Sequence, residues 1–310
     1  METFLHAVTS VTIILLLTMT GYFCAARGWM TPEVKTFISK FLMTLGIPIM
    51  LIYGMQNNLT RADILAAPRH LLIPLFVIPL SVVLSLLVGR VMKLPHRQLG
   101  VFVMMAAMGN TIFIGLAMCV ELFGDVSTPY VMLFYLVSSC FTQLIGIPMV
   151  RWSGESGGFS MQMVWKFLRA PTVLAVFLSL LLVGLDIRLP ALVMSYAKYL
   201  NNTVTPLALL LTGYIIYEIG LRNLRMTPTL GVMMLFRFLI SPALGIAFCA
   251  LFGISGLPRS VYVVELAMPV VTQTVVAAAE YGADEQLAAQ GAALSTLACF
   301  VVTPLLMLFL

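Results

Sequence analysis

Charge is what this sequence has least of. Only 9% of its 310 residues are Asp, Glu, Lys or Arg, against about 25% in soluble chains. A disordered chain needs high charge and few apolar residues, so disorder is excluded. Cysteine is sparse as well: Cys24, Cys119, Cys140, Cys249 and Cys299 are too few for a small disulfide scaffold. The 17 Lys and Arg outnumber the 12 Asp and Glu, but they are scattered singly. Without a basic cluster, nucleic acid is not an expected partner. Three histidines and no metal-ligand spacing leave no reason to expect a metal or other cofactor.

Apolar residues fill the space. They make up 61% of the chain, and the mean hydropathy is +1.05. A membrane span needs about 20 mostly apolar residues. Ten runs meet that need: Phe4–Ala26, Thr36–Met55, His70–Met92, Leu99–Phe123, Thr128–Val150, Phe167–Leu185, Ala191–Ile219, Thr229–Gly253, Ser260–Gly282 and Gln286–Leu310. They are continuous rather than alternating, which excludes a transmembrane barrel. Glu2 and the length of the first run argue against a cleaved signal peptide. The five cysteines lie inside these runs and read as small buried hydrophobes. Most of the 21 methionines read as core filler.

Lys and Arg counting sets the expected orientation. Odd-numbered connections hold Arg27, Lys35, Arg90, Lys93, Arg97, Arg151, Lys166, Arg169, Arg222 and Arg225. Even-numbered ones hold Arg61, Arg69, Arg188 and Arg259. The positive-inside rule therefore puts the odd connections in the cytoplasm and both termini outside. Trp29, Trp152 and Trp165 fall on the cytoplasmic side, as interfacial anchors would.

The chain also resembles itself. At an offset of 158, Pro32, Lys40 and Pro48 meet Pro190, Lys198 and Pro206. Ala107-Met108 meets Ala267-Met268 at 160, Glu121 meets Glu280 at 159, and Ser139 and Pro148 meet Ser295 and Pro304 at 156. Two halves of five spans must enter the membrane from opposite sides, an inverted repeat of the kind many secondary transporters share. The expected fold is an all-α membrane protein of ten transmembrane helices in two inverted five-helix repeats. Residues 1–151 form the first, 152–163 a cytoplasmic linker, and 164–310 the second.

In such repeats the binding site lies near the midplane, at paired interrupted helices. The fourth run is interrupted at Gly109-Asn110-Thr111, and the ninth at Pro269, followed by Thr272, Gln273 and Thr274. The breaks occupy equivalent positions, with Gly109 and Pro269 as the helix breakers. Unwound helices would offer half-helix N–H groups to an anion, with Asn110, Thr111, Thr272 and Gln273 contacting it. Glu265 lies six residues past Arg259 and Arg237 eight residues into the eighth run. An ionisable group at that depth is a functional candidate. Glu265 either carries a coupling proton, pairs with Arg237, or belongs to an interfacial pair that snorkels outward.

An enzyme is not expected. Gly154-Glu155-Ser156-Gly157-Gly158 fits a nucleophile-elbow pattern, but it sits in a connection between spans rather than on a strand-to-helix turn.

Gly109-Asn110-Thr111-Ile112-Phe113-Ile114-Gly115-Leu116 resembles the fourth-helix motif of the auxin efflux carrier family, approximately N-T-G-F-L-G-L-P. Ala267-Met268-Pro269, Glu280-Tyr281-Gly282-Ala283-Asp284 and Ser295-Thr296-Leu297 resemble its ninth and tenth helices. Ile112 and Ala117 replace the usual glycine and proline. The resemblance implies a scaffold of helices 1, 2, 6 and 7 and a mobile unit of helices 3–5 and 8–10. It also implies a carboxylate held where helices 4 and 9 cross, with Asn110 as the binding asparagine and Pro269 as the crossover proline. Members carry malonate, malate or auxin, and several are homodimers. The expected protein is a secondary carrier of small organic anions in the bacterial inner membrane, surrounded by lipid and paired as a homodimer. The alternatives are a sodium-coupled carrier resembling the bile-acid symporters, and a channel or ligand-sensing receptor.

Overall fold

The computed structural model describes residues 2–58, 61–154, 165, 168–220 and 224–310. Glu155–Gly158 of the elbow-like pattern and most of the 152–163 linker lie outside them. Among the described residues the chain is helical throughout, without a strand. Its helices are α1 (Glu2–Ala26), α2 (Pro32–Phe41), α3 (Ile47–Asn58), α4 (Arg61–Val91), α5 (His96–Ala107), α6 (Leu116–Phe123), α7 (Thr128–Phe141) and α8 (Ile147–Ser153). There follow α9 (Pro171–Gly184), α10 (Ala191–Ile219), α11 (Pro228–Leu235), α12 (Ser241–Leu251), α13 (Leu257–Leu266), α14 (Gln273–Tyr281) and α15 (Glu285–Leu306).

Among the described residues, six stretches are long and apolar enough to cross a membrane: Val8–Ala26, Pro32–Asn58, Pro68–Val91, Asp125–Ser153, Pro228–Leu251 and Glu285–Leu306. Thr111–Phe123 and Pro171–Gly184 are shorter apolar helices. The fourth and ninth apolar runs fall short because each is two half-helices, α5 with α6 and α13 with α14.

Three of the long stretches contain a widened π-helical turn: Leu42–Gly46 joins α2 to α3, Thr142–Gly146 joins α7 to α8, and Phe236–Ile240 joins α11 to α12. In each, a proline follows two residues later, at Pro48, Pro148 and Pro242. A proline ring clashes with the carbonyl four residues back. Here those are Thr44, Leu144 and Phe238, each inside the widened turn. A fourth π turn, Thr111–Gly115, leads into α6, where the equivalent position is Ala117. Its wide turn survives without the proline, because Asn110 Oδ1 accepts from Phe113 N at 3.2 Å and Gly115 N donates to Asn110 O at 3.0 Å.

α1 lies tightly along α10: a Cβ on Gly21 would run into the Leu210 carbonyl, and one on Gly213 into that of Thr18. α3 packs on α9 and α10, so α1, α3, α9 and α10 form one group. α4, α8, α11, α14 and α15 gather around α5, which lies close against α8. There a Cβ on Gly100 would strike the Met149 carbonyl, and Gly100 N donates to Ser153 Oγ at 2.6 Å.

Candidate functional site

The two breaks meet. Gly109 and Val270 form an antiparallel backbone bridge, the one β-type pairing among the described residues. Asn110 N donates to Pro269 O at 2.7 Å, and Val271 N donates to Met108 O at 3.3 Å. Backbone groups released from a helix inside lipid must find partners, and each break supplies the other's. Ser295 Oγ, from α15, accepts from Val270 N at 3.0 Å. The ninth-run break is therefore held from several sides, not by Pro269 alone.

A cavity of about 290 Å³ opens beside the crossing. All four residues expected to contact substrate line it, together with Gly109. Asn110 and Thr111 are buried, each 5% exposed, while Thr272 and Gln273 are half-buried. Asn110 uses Oδ1 to cap the turn ahead of α6. Among the described residues nothing accepts from its Nδ2, which leaves a donor at the cavity wall. Gln273 Oε1 accepts from Gln143 Nε2 at 3.4 Å, so Gln273 likewise keeps its own NH2 available. Pro269 does not line the cavity; it contributes its carbonyl to the bridge.

Sequence reading missed the opposite wall. Tyr135, Ser138, Thr142 and Gln143 of the α7–α8 stretch face the crossing, and Thr172 of α9 completes that side. The Tyr135 hydroxyl donates to Thr172 Oγ1 at 3.2 Å. The available signals were Ser138-Ser139 and Thr142-Gln143, two polar pairs inside an apolar run. Among the described residues, no charged side chain lines the cavity.

The charges lie behind it. Arg237, in the π turn between α11 and α12, is 1% exposed, and Glu265, in the last turn of α13, is fully buried. An interfacial pair that snorkels outward would leave both reaching water, so burial removes that reading. They do not pair with each other either. Arg237 donates through Nε and Nη2 to Met268 O, at 2.9 and 2.5 Å, and through Nη1 to Ala106 O at 3.4 Å. It thus holds carbonyls from both broken helices with one planar fork, a geometry lysine lacks. The Glu265 carboxylate sits against Gly115, where a Cβ would fall 2.5 Å from Oε2. Its Oε1 accepts from Cys119 Sγ at 3.5 Å, and among the described residues Oε2 has no hydrogen-bond partner.

Lys40 and Lys198 lie outside the cavity. Lys35 pairs with Glu218 at 2.6 Å at the surface.

Two interrupted helices exchanging backbone bonds beside a cavity of neutral donors are what a carrier would need at its midplane. A protein from Methanocaldococcus jannaschii described as an uncharacterized transporter is 25% identical over 292 residues, which span 92% of this chain and 93% of that one. Residues 6–307 match the family described as membrane transport protein. The chain therefore belongs to that family, the auxin efflux carriers, and is a multi-pass membrane transporter.

Proposed function

We propose that this protein is a secondary active carrier of small organic anions, mono- or dicarboxylates, that works by alternating access across the inner membrane. One observation carries the reading: the Gly109–Val270 bridge sets the starts of two half-helices beside a cavity whose polar wall is made of uncommitted donors. The N-terminus of the Thr111–Phe123 helical piece and that of α14 each add a partial positive charge there. Asn110 Nδ2, the Thr111 and Thr272 hydroxyls and the Gln273 amide would hold the carboxylate. Ten helices in two inverted repeats, with α1, α2–α3, α9 and α10 as the scaffold, fit the grouping of the described helices. The homodimer implied by the family likeness is part of the same proposal. Saturable counterflow of a labelled carboxylate in proteoliposomes supports a carrier; a linear, unsaturable flux indicates a channel, and binding without flux a receptor.

Orientation is tested by labelling. Ser127 is buried, so the probe for the even side is Val126→Cys, at an exposed position. Reagent added outside should label it, while Ser156→Cys should react only from the cytoplasm. Labelling of both from one side overturns the orientation. The cavity reaches from the crossing to Thr172 in the first turn of α9.

Glu265 is the candidate coupling group. A residue that takes up and releases a proton needs an atom not committed elsewhere, and Oε2 is such an atom. Glu265→Gln should leave carboxylate exchange intact and abolish uptake driven by a pH gradient. Unchanged gradient-driven uptake in that variant removes Glu265 from coupling.

A further inference from the structure

Where two broken helices cross, four half-helix ends come together, and their fields oppose one another. Two N-termini offer about half a positive charge each, and two C-termini about half a negative charge each. Left alone, the pairs cancel, and an anion gains little from such a crossing. Here the negative ends are treated differently from the positive ones. Arg237 donates to the carbonyl of Ala106 in the last turn of α5, and to that of Met268 just beyond α13. These are the two negative ends. Its guanidinium lies directly behind the backbone that lines the cavity, since a Cβ on Gly109 would collide with Nη2. Glu265, the acid buried beside the crossing, makes no ion pair with it.

We infer that Arg237 is the positioning and charge-selecting residue of the anion site: it neutralises the two half-helix C-termini from behind and leaves the two N-termini unopposed toward the cavity. Arg237 does not touch the substrate, because it lies behind the wall and its donors are committed to carbonyls. Its effect passes through the backbone as a field. While Glu265 holds its proton, the crossing then carries a surplus of about one positive charge, which matches a single carboxylate. Lysine would keep the charge and lose the fork, and glutamine would keep donors and lose the charge.

This inference rests on the anion-carrier reading, so its test must not depend on which substrate is carried. Thr272→Cys places a thiol in the cavity wall, and Val126→Cys places one on the exposed surface. Each is reacted with a sulfonate-bearing and with an ammonium-bearing methanethiosulfonate, and modification at the named residue is followed by mass spectrometry. The ratio of the two rates reports the local potential and is insensitive to general accessibility. With Arg237 present, the cavity ratio should exceed the surface ratio by about a hundredfold, because the anionic reagent is favoured and the cationic one disfavoured by about tenfold each. That is the order a unit charge gives across one helix diameter of about 10 Å at an effective dielectric near 20. Arg237→Gln should bring the cavity ratio down to the surface value, and Arg237→Lys should preserve most of it. A purely structural arginine predicts the reverse order or no change. Equal cavity and surface ratios in protein that retains Arg237 overturn the inference, even if neither variant folds. A high ratio that needs Arg237, in a protein that binds no carboxylate, keeps the charge argument and defeats the carrier reading instead.

Discussion

Replacing Asn110 with Asp should abolish carboxylate binding while leaving the protein folded. The side chain has two separate tasks. Oδ1 caps the turn that leads into α6, and Nδ2 is the donor at the cavity wall. Aspartate is as good a cap as asparagine, so the melting temperature should stay within a few degrees. The donor, however, becomes a second carboxylate facing the substrate. A hydrogen bond to a charged group is worth roughly 1.5–3 kcal/mol, and like charges brought together across an interface cost several kcal/mol more. Affinity should therefore fall by at least about a hundredfold. Asn110→Ala is the weaker test, because it also removes the cap, at about 1 kcal/mol, and so mixes stability with binding. Isothermal titration and thermal unfolding on the same Asn110→Asp preparation decide the matter. Undiminished affinity would move the site away from the crossing.

The second large effect concerns Gly115. An added methyl would lie 2.5 to 2.8 Å from three atoms of the Glu265 carboxyl group, which is fully buried in the last turn of α13. Overpacking of this kind costs about 1–3 kcal/mol, so Gly115→Ala should lower the melting temperature and reduce transport together. The cause can be isolated with a double-mutant cycle. Shortening the partner by Glu265→Ala should recover most of the stability lost in Gly115→Ala, whereas Glu265→Gln, of nearly equal size, should recover little. If Glu265→Ala gives no relief, the glycine is needed for the backbone of the π turn and not for the carboxylate it faces.

The two tests probe opposite ends of one short segment. Gly109 has Arg237 behind it and Gly115 has Glu265 against it, so the seven residues of the fourth-run break lie between a buried cation and a buried acid. Ile112, where the family likeness has glycine, and Ala117, where it has proline, do not undo that arrangement. The wide turn is held by the Asn110 cap and by Gly115 N on Asn110 O. Both bonds use groups that neither replacement removes.

How much of this the sequence could yield depends on whether a feature is local. The helical runs follow from unbroken stretches of apolar residues, because a lipid-exposed backbone can satisfy itself only within a helix or a closed barrel. The breaks follow from Gly109-Asn110 and Pro269, which act on their own backbones, and the membrane transporter family follows from motifs at those same places. The rest is not local. Gly109 and Val270 are 161 positions apart, and that their flanking residues exchange hydrogen bonds was settled only when the two runs crossed. Arg237 comes to the crossing from a third stretch, Thr142 and Gln143 from a fourth, and Thr172 from a fifth. A helix that is apolar on every side has no polar stripe to say which face turns inward. A lone arginine or glutamine in such a run could equally point to lipid, to water or to a neighbour. Packing made the choice: the crossing left two carbonyl ends with no helical partner, and the buried guanidinium of Arg237 is the group that reaches both.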